Sequence, residues 1–297
     1  MKIKRDINPE EILQNERHIL FVEGEDENSI DPKFLANLFF NEQTIISIKP
    51  LKTSSSIKSV AESLYKYNPT YYFLIDRDYH DDKFVEKCWK NFPDPETLNL
   101  LVWRKKEIEN YFLDPGYISQ SRYCVKKDKI AQKVLDFANE RFFLDLANRV
   151  IIEIRERFKE NWIKTFDQPS KFSSREDTLT KLLSMNEFKE YCSKVKNGVS
   201  QKVIKRLFDK FFEEMSGGKE KLELGCGNWI DRMSGKKILT QLINSDCFCV
   251  KDSSNIALSG REKFHEVIKD LLKNAKNQPN DFIMLKSLII KRINDAR

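Results

Sequence analysis

The chain has 297 residues, 40% hydrophobic and 33% charged, with a formal net charge of +6. That is enough apolar material for one large domain or two ordinary ones, and it excludes wholesale disorder. No apolar run approaches the roughly 20 residues of a membrane helix, and Met1-Lys2-Ile3-Lys4-Arg5-Asp6 leads into acidic sequence with no signal-peptide core, so a cytoplasmic protein with no membrane contact is expected.

In chain order, His18-Ile19-Leu20-Phe21-Val22 reads as a buried strand, and residues 28–40 as a helix with Ile30, Phe34, Leu35 and Leu38 on one face. Thr44-Ile45-Ile46-Ser47-Ile48 reads as a second strand. Ser54 or Ser55 can cap a helix carrying Ile57, Val60, Ala61, Leu64 and Tyr65 at helical spacing, which Asn68-Pro69 stops. Tyr71-Tyr72-Phe73-Leu74-Ile75 is a third strand. A helix over 82–91 follows, then a fourth strand over 98–103. Strands alternating with amphipathic helices predict parallel pairing, and wholly apolar strands predict a sheet covered on both faces.

After about residue 115 the strand signal fades. Helical patterns cover 128–163, 176–195, 200–215, 235–244, 261–274 and 281–294, with connections at Pro169-Ser170 and Ser216-Gly217-Gly218. The expected organisation is an α/β domain over 1–115, then a basic, mainly helical domain over 116–297. Charge follows that division: residues 1–120 hold 16 Lys+Arg and 21 Asp+Glu, and residues 121–297 hold 36 against 25. A basic region attracts polyanions by releasing their counterions, although solvated helix faces give the same count. Of the six cysteines only Cys247 and Cys249 are close, in a C-x-C with no second pair, so reduced, mostly buried thiols are expected and zinc is not.

Ligands of open α/β sheets bind beyond the carboxyl ends of the strands. Three acidic clusters follow strands here: Glu23-Gly24-Glu25-Asp26-Glu27, Asp76-Arg77-Asp78 and Glu107-Ile108-Glu109-Asn110. If the strand continues, Asp76 and Asp78 point one way and Arg77 the other. Two carboxylates held so close repel unless a proton or cation lies between them. Gly24 permits an unusual backbone that lets Glu23 face the pair. An all-oxygen set suits Mg²⁺ or Mn²⁺, in one or two ions, better than zinc. Glu25 and Asp26 read instead as helix-capping acids.

V-E-G-E-D-E at 22–27 and F-L-I-D-R-D at 73–78 resemble the two signature motifs of the TOPRIM domain. The spacing of Glu23 and Glu27 resembles that of the OLD-family nucleases. Glu109-Asn110-Tyr111 through Pro115 resembles a segment of the stand-alone OLD-like TOPRIM proteins found in anti-phage systems of the PARIS type, and Trp229 through Gly235-Lys236 resembles their C-terminal segment. The resemblance implies a TOPRIM-like parallel sheet and a metal site drawn from Glu23, Glu27, Asp76, Asp78 and Glu109. Glu107 is the alternative to Glu109, and Asp26 to Glu27. It gives Lys236 a catalytic role at the phosphate, beside the reading of a solvated surface lysine. It also implies an endonuclease that acts as a toxic effector, is held by an ABC-type ATPase sensor and cleaves RNA, tRNA first, with DNA as runner-up. Related nucleases often form homodimers. A non-catalytic adaptor of the ATPase is the reading from another class. Ile230 stands where a Walker A loop needs glycine, so any ATPase activity belongs to a partner.

Overall fold

The computed structural model describes residues 18–64, 67–94, 96, 98–158, 178–180, 184 and 186–295. Its centre is a four-stranded, wholly parallel sheet of β1 (His18–Val22), β2 (Ile46–Pro50), β3 (Tyr71–Ile75) and β4 (Leu100–Val102), in the order β2-β1-β3-β4. β1 and β3 are almost purely apolar because both faces are covered, and every residue of β3 is buried. Phe21 is in register with Phe73, and their rings stack 5.3 Å apart. Helices α1 (Ile30–Leu38), α2 (Ser54–Leu64) and α3 (Asp82–Asn91) make the crossovers. β2 begins two residues later than its apolar run, and β4 is limited to three residues, because Leu98 and Asn99 both adopt positive φ.

The chain leaves β1 for β2 on one side, then crosses to β3 on the other. The crevice beyond the carboxyl ends of β1 and β3 is therefore the topological switch point, where ligands of such sheets sit.

Beyond β4 come a 3-10 segment (Ile108–Leu113) and α4 (Pro115–Ile118). Then follow α5 (Ile130–Arg157), α6 (Asn186–Gly198), α7 (Gln201–Ser216), α8 (Trp229–Arg232), α9 (Gly235–Asn244), α10 (Gly260–Asn274) and α11 (Asn280–Asp295). The region is mainly helical, as its periodicity implies. Parts of the expected 128–163 and 176–195 helices, and the Pro169-Ser170 connection, lie outside the described residues. None of the described helices is long and apolar enough to cross a membrane.

The expected boundary at 115 is not where the chain divides. One compact unit joins residues 1–134 to residues 234–297, and the other spans 135–233. The reason lies in the C-terminal helices. Phe282 of α11 enters a ring cluster with Phe34, Trp103, Tyr111 and Phe112, at centroid distances of 4.8, 5.7, 4.9 and 6.0 Å. Beside it, the Asp281 carboxylate accepts from the Tyr111 hydroxyl (2.5 Å) and from Arg104 Nη1 (2.6 Å). Ser121 Oγ and the Arg122 N–H both donate to Asp270 of α10. Truncating a fully buried aromatic costs about 3–5 kcal/mol. Phe282→Ala is therefore expected to lower the unfolding free energy of the sheet-bearing unit by that amount, read from the denaturant midpoint and slope. A loss below about 1 kcal/mol would mean that α11 contributes little to the sheet's core.

Charge divides differently as well. Residues 135–233 hold 19 Lys+Arg against 17 Asp+Glu, whereas 121–134 and 234–297 together hold 17 against 8. Most of the basic excess thus belongs to the same unit as the acidic strand ends. In the unit spanning 135–233, Phe142 meets Phe212, and the Leu222 N–H donates to Asn139 Oδ1 at 2.7 Å.

Candidate metal and phosphate site

A cleft of about 350 Å³ opens at the β1/β3 switch point, lined by Glu23, Glu25, Asp31, Asp76, Asp78, Glu107, Glu109 and Lys236, together with Gly24, Ser29, Ile30 and Lys52; Glu25, expected to cap a helix, thus borders the cleft instead. Five of the six sequence candidates, Glu23, Asp76, Asp78, Glu109 and Lys236, thus come together from three strand ends and one distant helix.

Each is positioned by its local chain. Glu23 follows β1. Its Oε1 accepts the Asp76 N–H at 3.0 Å, and its carboxylate also takes the Ser54 N–H at the start of α2. Gly24 has φ +144° and pairs both ways with Lys52. A Cβ there would lie 2.8 Å from that of Ser29, so glycine is needed for the close turn. β3 ends at Ile75, and Asp78 adopts φ +46°, so strand alternation does not orient the two aspartates. They share the cleft because a turn carries Asp78 back, its N–H donating to the Lys106 carbonyl. Arg77 points away and is buried. It donates to the carbonyls of His80 (3.1 Å) and Arg104 (2.6 Å) and pairs with Asp82 (2.5 Å), bracing the D-x-D turn from behind.

Glu107 and Glu109 have separate duties. Glu107 accepts the Lys236 N–H at 2.8 Å and the Ser234 hydroxyl at 3.3 Å, so its carboxylate caps the N-terminus of α9. Its own N–H donates to Asn110 Oδ1. Glu109 is only 4% exposed and faces the cleft. The segments around Asn110 and Gly235, distant in sequence, meet here: a Cβ on Gly235 would lie 2.4 Å from Asn110 Oδ1 and 2.7 Å from its backbone nitrogen. Lys236 is exposed but borders the acidic cleft, where its charge opposes the upward shifts of Asp31 and Glu109. Gly235→Ala is expected to cost about 1–3 kcal/mol through overpacking and to push Lys236 out of the cleft. Thermal denaturation of the variant checks the first effect.

Glu27 does not join. The Asp26 carbonyl accepts the Ser29 N–H, and Asp26 Oδ1 accepts the Asn28 N–H, closing a tight turn with Glu27 exposed at its outer corner. Asp26 is used in that turn, and Ser29, not an acid, is the N-cap of α1. Asp31, in the first turn of α1, lines the cleft instead. Its sequence signal is ordinary, since an acid there suits any helix dipole. His80 accepts from Lys58 Nζ at 2.7 Å and packs on Phe84. All six cysteines are free thiols, but only Cys124 and Cys247 are buried.

The electrostatics of the cluster are costly. Burial pushes the Asp76 carboxyl well above the ordinary range, and Asp31, Glu109, Glu23 and Asp78 push it further. Burial and then Glu109 and Glu23 do the same to Asp31, with Lys236 opposing. Glu109 is pushed up to about 7 by burial and by Glu107. Burial also raises Glu23 and Asp78. One oxygen of Asp76, Oδ1, is shut from water and has no hydrogen-bond partner.

No protein-family model matches this chain, and no curated protein matches it.

The donors fit a hard divalent cation. They are all carboxylate oxygens, they repel one another, and one is buried without a partner. Among the described residues no three His, Cys, Asp or Glu form a ready-made cage. Mg²⁺ retains several waters and takes only one or two carboxylates directly, so an open arrangement suits it.

Proposed function

We propose that the chain is a metal-dependent nuclease of TOPRIM type. The observation that carries this is the gathering of seven acidic residues, one with a stranded buried oxygen, around the β1/β3 crevice together with Lys236. Glu23, Asp31, Asp76, Asp78 and Glu109 would hold one or two Mg²⁺ or Mn²⁺. Such ions, when bound, supply a nucleophilic water and neutralise charge on a phosphodiester. The protein's own groups do the rest. Lys236 presents a cation to the phosphate and its leaving oxygen. Glu107 fixes the end of α9 that carries Lys236. Arg77 stiffens the turn that carries Asp76 and Asp78.

The resemblance of the Glu23 and D-x-D segments to TOPRIM and OLD-like proteins supports the same reading. It further supports a toxic anti-phage effector with an ABC-type ATPase partner, and tRNA as substrate ahead of DNA. The test incubates the full chain with total tRNA and with plasmid, with Mg²⁺ or EDTA, alone and with the cognate ATPase and its trigger. Cleavage of tRNA that needs Mg²⁺ and is lost in Glu23→Ala is expected. Cleavage of plasmid alone moves the substrate to DNA. Cleavage of neither under any condition sinks the nuclease reading and leaves an adaptor subunit.

A further inference from the structure

A second cavity, of about 400 Å³, adjoins the acidic cleft and shares its wall at Ser29, Ile30 and Lys236. Its chemistry is different. The acidic cleft is lined by carboxylates, whereas this cavity is lined by the apolar Ile30 and Phe264 and by Thr240, Asn244, Arg261 and His265, with no acid among them. A mainly apolar hollow with a few convergent polar groups is the usual form of a small-molecule site.

We infer that this cavity is a base-binding subsite, taking the nucleobase of a nucleotide that adjoins the phosphodiester held at the acidic cleft. The inference rests on the nuclease reading for the identity of that phosphodiester. Lys236 is the one cation in the wall the two hollows share, so a phosphate beside its ammonium borders both the carboxylates and the apolar cavity. The polar groups are arranged for a base edge. Asn244 gives Nδ2 to the Thr240 carbonyl at 3.0 Å, which leaves its amide oxygen as an acceptor. Thr240 gives its hydroxyl proton to the Lys236 carbonyl at 2.7 Å, which leaves that oxygen as an acceptor too. His265 accepts Arg261 Nε–H at Nε2 (3.3 Å), which leaves Nδ1–H as a donor. Arg261 is pinned at its other end by the Asn28 carbonyl, 2.7 Å from Nη2. A guanidinium fixed at two points is a flat plate on which a base can stack. A paired, stacked base cannot enter such a hollow, so the subsite selects single strands, loops, ends or flipped-out nucleotides.

The test measures binding of the four ribonucleoside 5′-monophosphates and of ribose 5-phosphate to the full chain, by ligand-observed NMR with Ca²⁺ present. Wild type, Asn244→Ala and Arg261→Ala are compared. The nucleotides should bind about tenfold or more tightly than ribose 5-phosphate. Asn244→Ala should change the ranking of the four bases, and Arg261→Ala should weaken all four by about tenfold. Equal binding of ribose 5-phosphate, or unchanged affinities and ranking in both variants, overturns the subsite. The readout needs no cleavage. A chain that binds bases here and cuts nothing loses only the nuclease reading, and one that cuts but binds nucleotides no better than ribose 5-phosphate loses only the subsite.

Discussion

Asp76→Asn is expected to make the metal-free protein more stable while ending metal-dependent cleavage. In the free protein this carboxylate is desolvated, surrounded by Asp31, Glu109, Glu23 and Asp78, and left with one oxygen unpartnered. The amide stays polar but carries no charge, and removing a buried charge repelled by its neighbours recovers about 1–3 kcal/mol, which for a unit of this size is about 2–4 °C of melting temperature per kcal/mol. The sign with pH is fixed by the direction of the shifts. Asp76, Asp31 and Glu109 hold their protons more tightly folded than unfolded, so their contribution is fully present below the ordinary values of 3.8 and 4.5. It is lost as pH rises through the raised values, about 7 for Glu109. The metal-free wild type should therefore lose stability across that window, and Asp76→Asn should lose less. Cleavage should fall by about 10³-fold or more, since the amide cannot replace the charge. A melting curve with EDTA and a cleavage assay with Mg²⁺ check the two halves. A variant less stable than wild type and still active would contradict both.

Asp31→Asn should also damage cleavage, though less than Asp76→Asn, and Glu27→Ala should be nearly silent. Asp31 shares the cleft with Glu23, Asp76 and Glu109, whereas Glu27 stands exposed and does not line it. Loss of a carboxylate from the set should reduce Mg²⁺-dependent cleavage by about 10²-fold. An exposed substitution away from the site should stay within about 0.5 kcal/mol, or twofold. The comparison is a single cleavage series over Mg²⁺ concentration. Damage from Glu27→Ala with a silent Asp31→Asn would return the ligand to the E-x-x-x-E position.

The contrast between those two acids shows what the sequence can carry. Glu23, Asp76 and Asp78 were legible because wholly apolar strands announce their own ends, and an acid directly after such a strand has few structural excuses. The C-terminal helices were legible from periodicity, and 235–244 matches α9 to the residue. Asp31 was not, because an acid in a first helical turn serves the dipole in any protein. The backbone of Asp78 was not, because positive φ at a non-glycine residue leaves no pattern to read. Nor was the return of residues 234–297 to the sheet. The periodicity of α11 marks a buried face, but only the ring cluster around Phe282 reveals what buries it.

The same return alters the meaning of the net charge. The +6 does not separate an acidic catalytic half from a basic binding half. Acidic strand ends and most of the basic surplus share one unit, so the groups that would hold a cation and those that would attract a polyanion are built on the same core.

On the proposed function, the carboxylates of the switch-point cleft hold a hard divalent cation. The most direct measurement is titration of Mn²⁺ into the full chain, with free ion followed by electron paramagnetic resonance, for wild type and Asp76→Asn. Saturable binding of one or two ions by wild type, displaced by Mg²⁺ and lost in the variant, is the predicted result. Absence of saturable binding, or equal binding by the variant, would contradict it.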